Sequence, residues 1–215
     1  MSTGRIFLLV MLILAAGTAP AAAAKIKPDC SGFTPTEEKQ PTGWAEPTSG
    51  SCKVAKLTLG GVDYAAPDPK CTPGAINPTL KLSVLKHPHF STKCERDKAT
   101  SASRKQITYD WYGVDKPANN KGKKMVCELD HLISIEIGGA DTIDNIWPQC
   151  GPSRVVLKNR YFKQKDMVED YLAAQVRAGT MQLDDVQAGI AKNWTQYLTA
   201  ARKYYATRKE PKDGG

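Results

Sequence analysis

None of the six cysteines forms a Cys-x-x-Cys pair, which argues against a zinc knuckle. Histidine is scarce. There are three, His87, His89 and His131, so the part of the chain after His131 has no imidazole to offer as base or ligand. No internal repeats are visible, and no stretch beyond the first 24 residues is apolar enough to span a bilayer. One further absence is local: residues 151–165 contain no acid.

What is present begins with an address. Arg5 precedes an apolar run from Ile6 to Ala16, and small residues at Ala21-Ala22-Ala23-Ala24 lead into Lys25. This pattern predicts a secretory signal peptide over residues 1–24. The alternative, an uncleaved anchor, fits less well because the run falls short of the ~20 residues a bilayer requires. The expected location is therefore exported, periplasmic or extracellular, with no membrane association after cleavage. About 190 residues remain, enough for one domain with a small extension. The chain carries +8, and Arg5 is the only charged residue in the leader, so the mature part is near +7. Such an excess favours polyanions. All six cysteines (Cys30, Cys52, Cys71, Cys94, Cys127 and Cys150) lie in the mature part and predict three disulfides in an oxidising compartment. Sequential pairing is the expectation.

Residues 25–70 are rich in Pro, Gly, Ser and Thr and read as a loop-rich extension. Residues 53–59 alternate as one strand before a Gly60-Gly61 turn. Residues 71–210 form the main domain, and 211–215 a frayed tail. Within the domain, residues 79–85 are expected to form a strand and 101–112 a helix. Leu157, Tyr161, Val168, Leu172 and Val176 predict a long amphipathic helix over residues 153–178, stopped by Gly179. A second helix is expected from about 184 to 209. Its stripe is Leu183, Val186, Ile190, Trp194 and Leu198.

The informative segment is 127–150. Strand-like residues 126–132 end at Asp130-His131. A connection with Gly138-Gly139 and Asp141 follows, and Asn145-Ile146-Trp147-Pro148 can pair back as a second strand. With the basic helix after it, this is a strand–strand–helix unit. Glu-x-Asp-His, Gly-Gly and Asn-x-Trp-Pro within 21 residues, and the step of 14 from His131 to Asn145, resemble the HNH endonuclease family. The flanks, from Cys71-Thr72-Pro73-Gly74 to the 184–194 stretch, resemble exported bacterial members, so the likeness spans about residues 71–198.

The resemblance implies an α+β fold: a ββα-metal HNH core, two C-terminal helices and a disulfide-stapled loop-rich N-terminal extension. It implies a metal-dependent endonuclease that hydrolyses phosphodiester bonds. His131 would be the general base, since a neutral imidazole can take a proton from water. Asp130 would hold one divalent ion, Mg or Mn first and Ca, Zn or Ni as alternatives. Asn145 would hold the loop that aims His131. The family's third position is His or Asn; here the candidate second ligand is Asn159, at a longer gap than expected. Glu128 shares the strand face of Asp130 and is a supporting candidate. Arg154, Lys158, Arg160, Lys163 and Lys165 are candidate phosphate contacts for nucleic acid, DNA before RNA. A second departure is Ser134, where relatives often carry Pro. The bland reading keeps His131 as a core histidine and Asp130 as a turn cap. The competing functional reading is a nuclease-like scaffold that binds DNA or another anionic polymer without cutting it. Finally, Cys127 and Cys150 bracket the two strands: His131 opposite Asn145 would put Cys127 near Gln149, one residue from Cys150, and a bridge between them would pin the pair.

Overall fold

The structure is a computed structural model that describes residues 30–31, 43–96 and 102–208. The expected signal peptide, 1–24, and the tail, 211–215, lie outside the described residues. The fold is α+β, with two small antiparallel sheets among helices. Strands β1 (Ala55–Leu59) and β2 (Val62–Ala66) form a hairpin. Gly60 and Gly61 close it, with φ of 57° and 78°, values that an L side chain resists. The short helices α1 (Leu82–Leu85), α2 (Thr92–Glu95), α3 (Ala102–Lys105) and α4 (Ile107–Trp111) follow. Strands β3 (Cys127–His131) and β4 (Ile146–Cys150) pair next, and helices α5 (Tyr161–Ala178), α6 (Leu183–Asn193) and α7 (Leu198–Ala206) complete the chain.

Several expectations about local structure change. Residues 79–85 are not a strand. The Asn77 side chain accepts from Thr79 N at 2.9 Å and from Thr79 Oγ1 at 2.6 Å, which turns the chain. It then coils into α1, so Leu80 and Leu85 bury against Ile135. The long helix begins at Tyr161, not 153. A single 3-10 turn, Leu157–Asn159, precedes it. Arg160 then runs extended and turns its guanidinium inward to the carbonyls of Met125 and Val155. The final helix is interrupted because Asn193 caps a new start, accepting from Thr195 N at 3.0 Å and Thr195 Oγ1 at 2.7 Å.

The disulfides are Cys30–Cys94, Cys52–Cys71 and Cys127–Cys150. Sequential pairing therefore holds for the third and fails for the other two. Cys52 and Cys71 stand on either side of the β1–β2 hairpin, so the chain that leaves Cys52 returns to it. Among the described residues no helix is long and apolar enough to cross a membrane.

The main core packs Leu132, Ile133 and Ile137, from the loop after β3, against α5, α6 and α7 through Val168, Leu172, Ile190 and Leu198. The hairpin joins this core. Tyr64 packs on Trp194, and Trp194 Nε1 donates to Ala65 O at 2.9 Å. A second cluster under β4 holds Trp111 and Trp147. Every large residue on this list gains of the order of 1.5–3 kcal/mol from leaving water. Together they fix α5 across the β3–β4 pair.

The loop between β3 and β4 depends on one glycine. A Cβ at Gly139 would stand 1.8 Å from Ile133 O, where no side chain fits. Gly139→Ala should therefore cost about 3 kcal/mol, the upper end of overpacking, or more, read from urea unfolding. A loss below about 1 kcal/mol would show that the loop yields freely.

Candidate active site

Strand β3 delivers the Asp130-His131 pair, and the register decides what faces it. Asp130 pairs with Trp147, His131 with Ile146 and Cys127 with Cys150. The pairing lies one residue from the expected match of His131 with Asn145. The difference arises because Asn145 closes a 3-10 turn, Ile143–Asn145, and the ladder starts only at Ile146. The shift places Cys127 directly opposite Cys150, where their disulfide ties the strand ends.

Asn145 is wholly buried and all its side-chain bonds go to the loop. Its Oδ1 accepts from Ile133 N at 2.9 Å, and its Nδ2 donates to Ile133 O at 2.9 Å and Ala140 O at 2.8 Å. Its own carbonyl accepts from Leu132 N at 2.8 Å. The amide thus clamps both ends of the turn that leaves His131. Ser134 caps the 3-10 turn Ile135–Ile137 by accepting from Glu136 N at 3.2 Å. On the other side, Asn77 N donates to Gly138 O at 2.8 Å and Ala140 N to Ala75 O at 3.0 Å. The Cys71–Pro78 stretch is therefore the loop's second support.

The imidazole of His131 is held by Asp141, which reads in the sequence only as a turn former. His131 Nε2 lies 2.8 Å from Asp141 Oδ1, and Lys105 Nζ donates to both Asp141 oxygens at 2.6 and 2.7 Å. Burial raises the Asp141 carboxyl, but the bonds from His131 and Lys105 outweigh it and hold it down at about 2. An ionised carboxylate only accepts, so Nε2 must carry the hydrogen, and Nδ1 of the neutral ring keeps its lone pair. Burial is also what pushes the imidazole below its ordinary value. Asp141 pulls it the other way, and Arg96 adds to the lowering. The ring is thus neutral at pH 7, as a proton acceptor must be.

The Asp141 carboxyl also ties folding to pH. Its folded-state pKa is depressed, so its contribution is present above the unfolded value near 3.8 and is lost as pH falls through about 2. The difference is worth about 2 kcal/mol. Wild type should lose that amount between pH 4 and pH 2 relative to Asp141→Asn, followed by denaturant unfolding. Parallel acid limbs for the two proteins would refute the coupling.

Asp130 lies in a cavity of about 150 Å³ between β3, α2 and α5, with His131, Glu128 and Arg96 on the same wall. Helix α5 brings two further carboxylates there, Asp166 and Glu169. One oxygen each from Asp130, Asp166 and Glu169 lies within 4.8 Å of the others. Lys165, wholly buried, sits beneath them. Its Nζ donates to His131 O at 2.5 Å and to Glu169 Oε1, and stands 2.9 Å from Asp130 Oδ2, off the hydrogen-bond direction. Burial alone would lower that ammonium. The charges of Asp130 and Glu169 win and raise it. Lys163 Nζ bonds Asp166 Oδ2 at 2.8 Å. Burial pushes Glu128 up to about 7, with Asp166 and Asp130 adding to it, and raises Asp166 and Glu169 as well. Four carboxylates crowd around two ammonium groups.

The remaining sequence candidates separate. Asn159 is exposed and lines a different cavity, outside the carboxylate group. Among the phosphate candidates, Lys163 lines both cavities, Lys158 lines the second, and Arg154 is exposed but lines neither. Lys165 and Arg160 face inward. Lys165 is spent on Asp130 and Glu169, and Arg160 on main-chain carbonyls, so neither is placed to meet a phosphate. Sequence reasoning missed Asp141, Lys105, Asp166 and Glu169. The last two are spaced i, i+3 on one helix face, a signal that was there to be read. No protein-family model, curated protein or solved structure matches the chain.

Proposed function

We propose that the protein is an exported, metal-dependent endonuclease of HNH type that hydrolyses phosphodiester bonds in nucleic acid, DNA before RNA. The observation that carries this reading is the pairing of a neutral His131, fixed by ionised Asp141, with a carboxylate cluster in one cavity. The strand–strand–helix order, the sequence likeness and the net charge of +8 support it, and three disulfides fit an oxidising compartment.

The donor set fits a hard divalent ion. All three groups are carboxylates, and Mg²⁺ or Mn²⁺ prefers oxygen. Four carboxylates face three cations, Lys163, Lys165 and Arg96, and the remaining negative charge is what such an ion would neutralise. Asp130, Asp166 and Glu169 are the residues that would hold it, in place of Asn159. When bound, the ion supplies charge neutralisation at the scissile phosphate and its leaving oxygen. His131 takes the proton of the attacking water on Nδ1. Asp141, pinned by Lys105, keeps the ring in the tautomer that can do so. Asn145 holds the turn on which that aim depends. Arg96 and Lys163 on the cavity wall offer positive charge to the phosphate.

One observation favours the competing reading of a scaffold that binds polyanions without cutting. The Lys165 ammonium already stands against Asp130 and Glu169, where a cation would go. Plasmid cleavage by the oxidised protein with Mg²⁺ or Mn²⁺, against the same reaction with a chelator, decides between them. Nicking that the chelator abolishes is the expected result. Intact plasmid and intact single-stranded DNA under every metal, from folded protein that still shifts DNA at low salt, would replace the endonuclease with the binding scaffold.

A further inference from the structure

The second cavity, of about 490 Å³, opens between the Leu157–Asn159 turn, α5 and α7, and it adjoins the first. The two share Lys163, Asp166 and Asp170 along one edge of α5, so the two cavities border each other along that edge. Its size is that of a small-ligand pocket, which runs from about 300 to 1,000 Å³. Its lining is of two kinds. Leu157, Met167 and Tyr205 are apolar surface, and Tyr205 is braced edge-on by Tyr204 at 5.0 Å. Lys158, Asn159 and Arg202 are polar, and the edge shared with the first cavity adds the Lys163 ammonium and the Asp166 and Asp170 carboxylates. Arg202 is anchored, donating to Gln164 Oε1 and to the Tyr64 hydroxyl at 3.3 Å, so its guanidinium is held in place before any ligand arrives. The Asn159 carbonyl is taken by Gln164 Nε2 at 2.7 Å, and this bond fixes the turn that presents Lys158.

An aromatic ring and a thioether beside Lys158 and the anchored Arg202 suit a flat, hydrogen-bonding ring attached to an anion. We infer that this cavity takes an unpaired nucleotide next to the scissile phosphate, with its base against Tyr205 and Met167 and its phosphate toward Lys158. The substrate class is then single-stranded or locally unpaired nucleic acid. A base inside a duplex has both faces covered by its neighbours and cannot lie on Tyr205, whereas any unpaired base offers a face. This inference rests on the endonuclease reading, because only the shared edge with the His131 cleft gives the bound nucleotide its place in a cut strand.

Fluorescence anisotropy with a short labelled single strand and the duplex of the same sequence, both in EDTA, tests it without any cutting. The single strand should bind at least about tenfold more tightly than the duplex. Tyr205→Ala should weaken the single strand by about 5- to 100-fold and leave the duplex unchanged, while Tyr205→Phe keeps wild-type affinity. Lys158 is exposed and its removal leaves the core untouched. Lys158→Ala should lower the salt dependence of single-strand binding by about one phosphate contact. Equal affinity for the two forms, or single-strand binding that neither Tyr205→Ala nor Lys158→Ala changes, would overturn the inference. If metal-dependent plasmid cleavage persists alongside that result, only this cavity is misassigned. No binding of either strand form, together with an uncut plasmid, would remove both readings.

Discussion

Alanine at position 131 is expected to lower metal-dependent cleavage by about 10²- to 10⁴-fold while the protein stays folded. The step lost is the removal of a proton from water in the transition state. No second imidazole near the site can replace it. The remaining histidines, His87 and His89, line neither cavity, and Lys105 and Lys165 are both committed to carboxylates. Substrate binding should change little, since the phosphate is offered charge by Arg96 and Lys163. The fall therefore belongs in kcat more than in KM. Asp141→Asn makes the same point without removing the ring. An amide can donate as well as accept, so it no longer dictates which ring nitrogen carries the hydrogen. A loss of comparable order is expected, because a wrong tautomer disables an otherwise intact base. Single-turnover cleavage of a labelled oligonucleotide separates these effects from product release. A His131→Ala protein that cuts within tenfold of wild type would take the base away from this residue. An unaffected Asp141→Asn would mean that the 2.8 Å contact merely fills space.

How much of this was legible in the sequence depends on how local the cause is. The strands around Asp130-His131 and Asn145-Ile146-Trp147-Pro148 were legible because turn residues and a short alternation specify them within 24 residues. The loop-holding role of Asn145 came from the family resemblance, and its clamp closes on residues only 5 and 12 positions away. What was not legible was set by packing between distant segments. Cys30 meets Cys94 across 64 residues, and nothing in their neighbourhoods says so. Lys165 and Arg160 belong to an acid-free run that reads as a cationic surface. Helix phase and an extended residue at 160 turn these two inward, and only Arg154, Lys158 and Lys163 keep contact with solvent. Asp141 was read as a turn former because its partner Lys105 lies 36 residues upstream. Asn159 was expected on the helix, but it closes the turn before α5 begins at Tyr161, whereas Asp166 and Glu169 lie on α5 beside Asp130, a packing of helix on strand that no local pattern announces.

That inward turn makes Lys165 the most exposed point of the fold's energetics, and its replacement has the largest expected effect on stability. The side chain has no exposure to water, and its ammonium stands between Asp130 and Glu169. Lys165→Met keeps the length and apolar stem but removes the charge. Two carboxylates then remain close together with little water to screen them, at a cost of about 3–5 kcal/mol. The bond to the His131 carbonyl is lost as well, at the end of the strand that carries that imidazole. Glu169→Gln in the same chain should recover much of the loss, because it removes the second of the two facing charges. The double variant isolates the pair in a thermodynamic cycle. Urea unfolding at pH 7 of wild type, both single variants and the double variant measures it. A Lys165→Met protein as stable as wild type would mean that the cluster sheds its charge by taking up protons instead, in line with the raised Glu169 carboxyl. In the expected case, the buried ammonium is what lets four carboxylates share one cavity, and the divalent ion of the proposed function would complete the neutralisation that Lys165 begins.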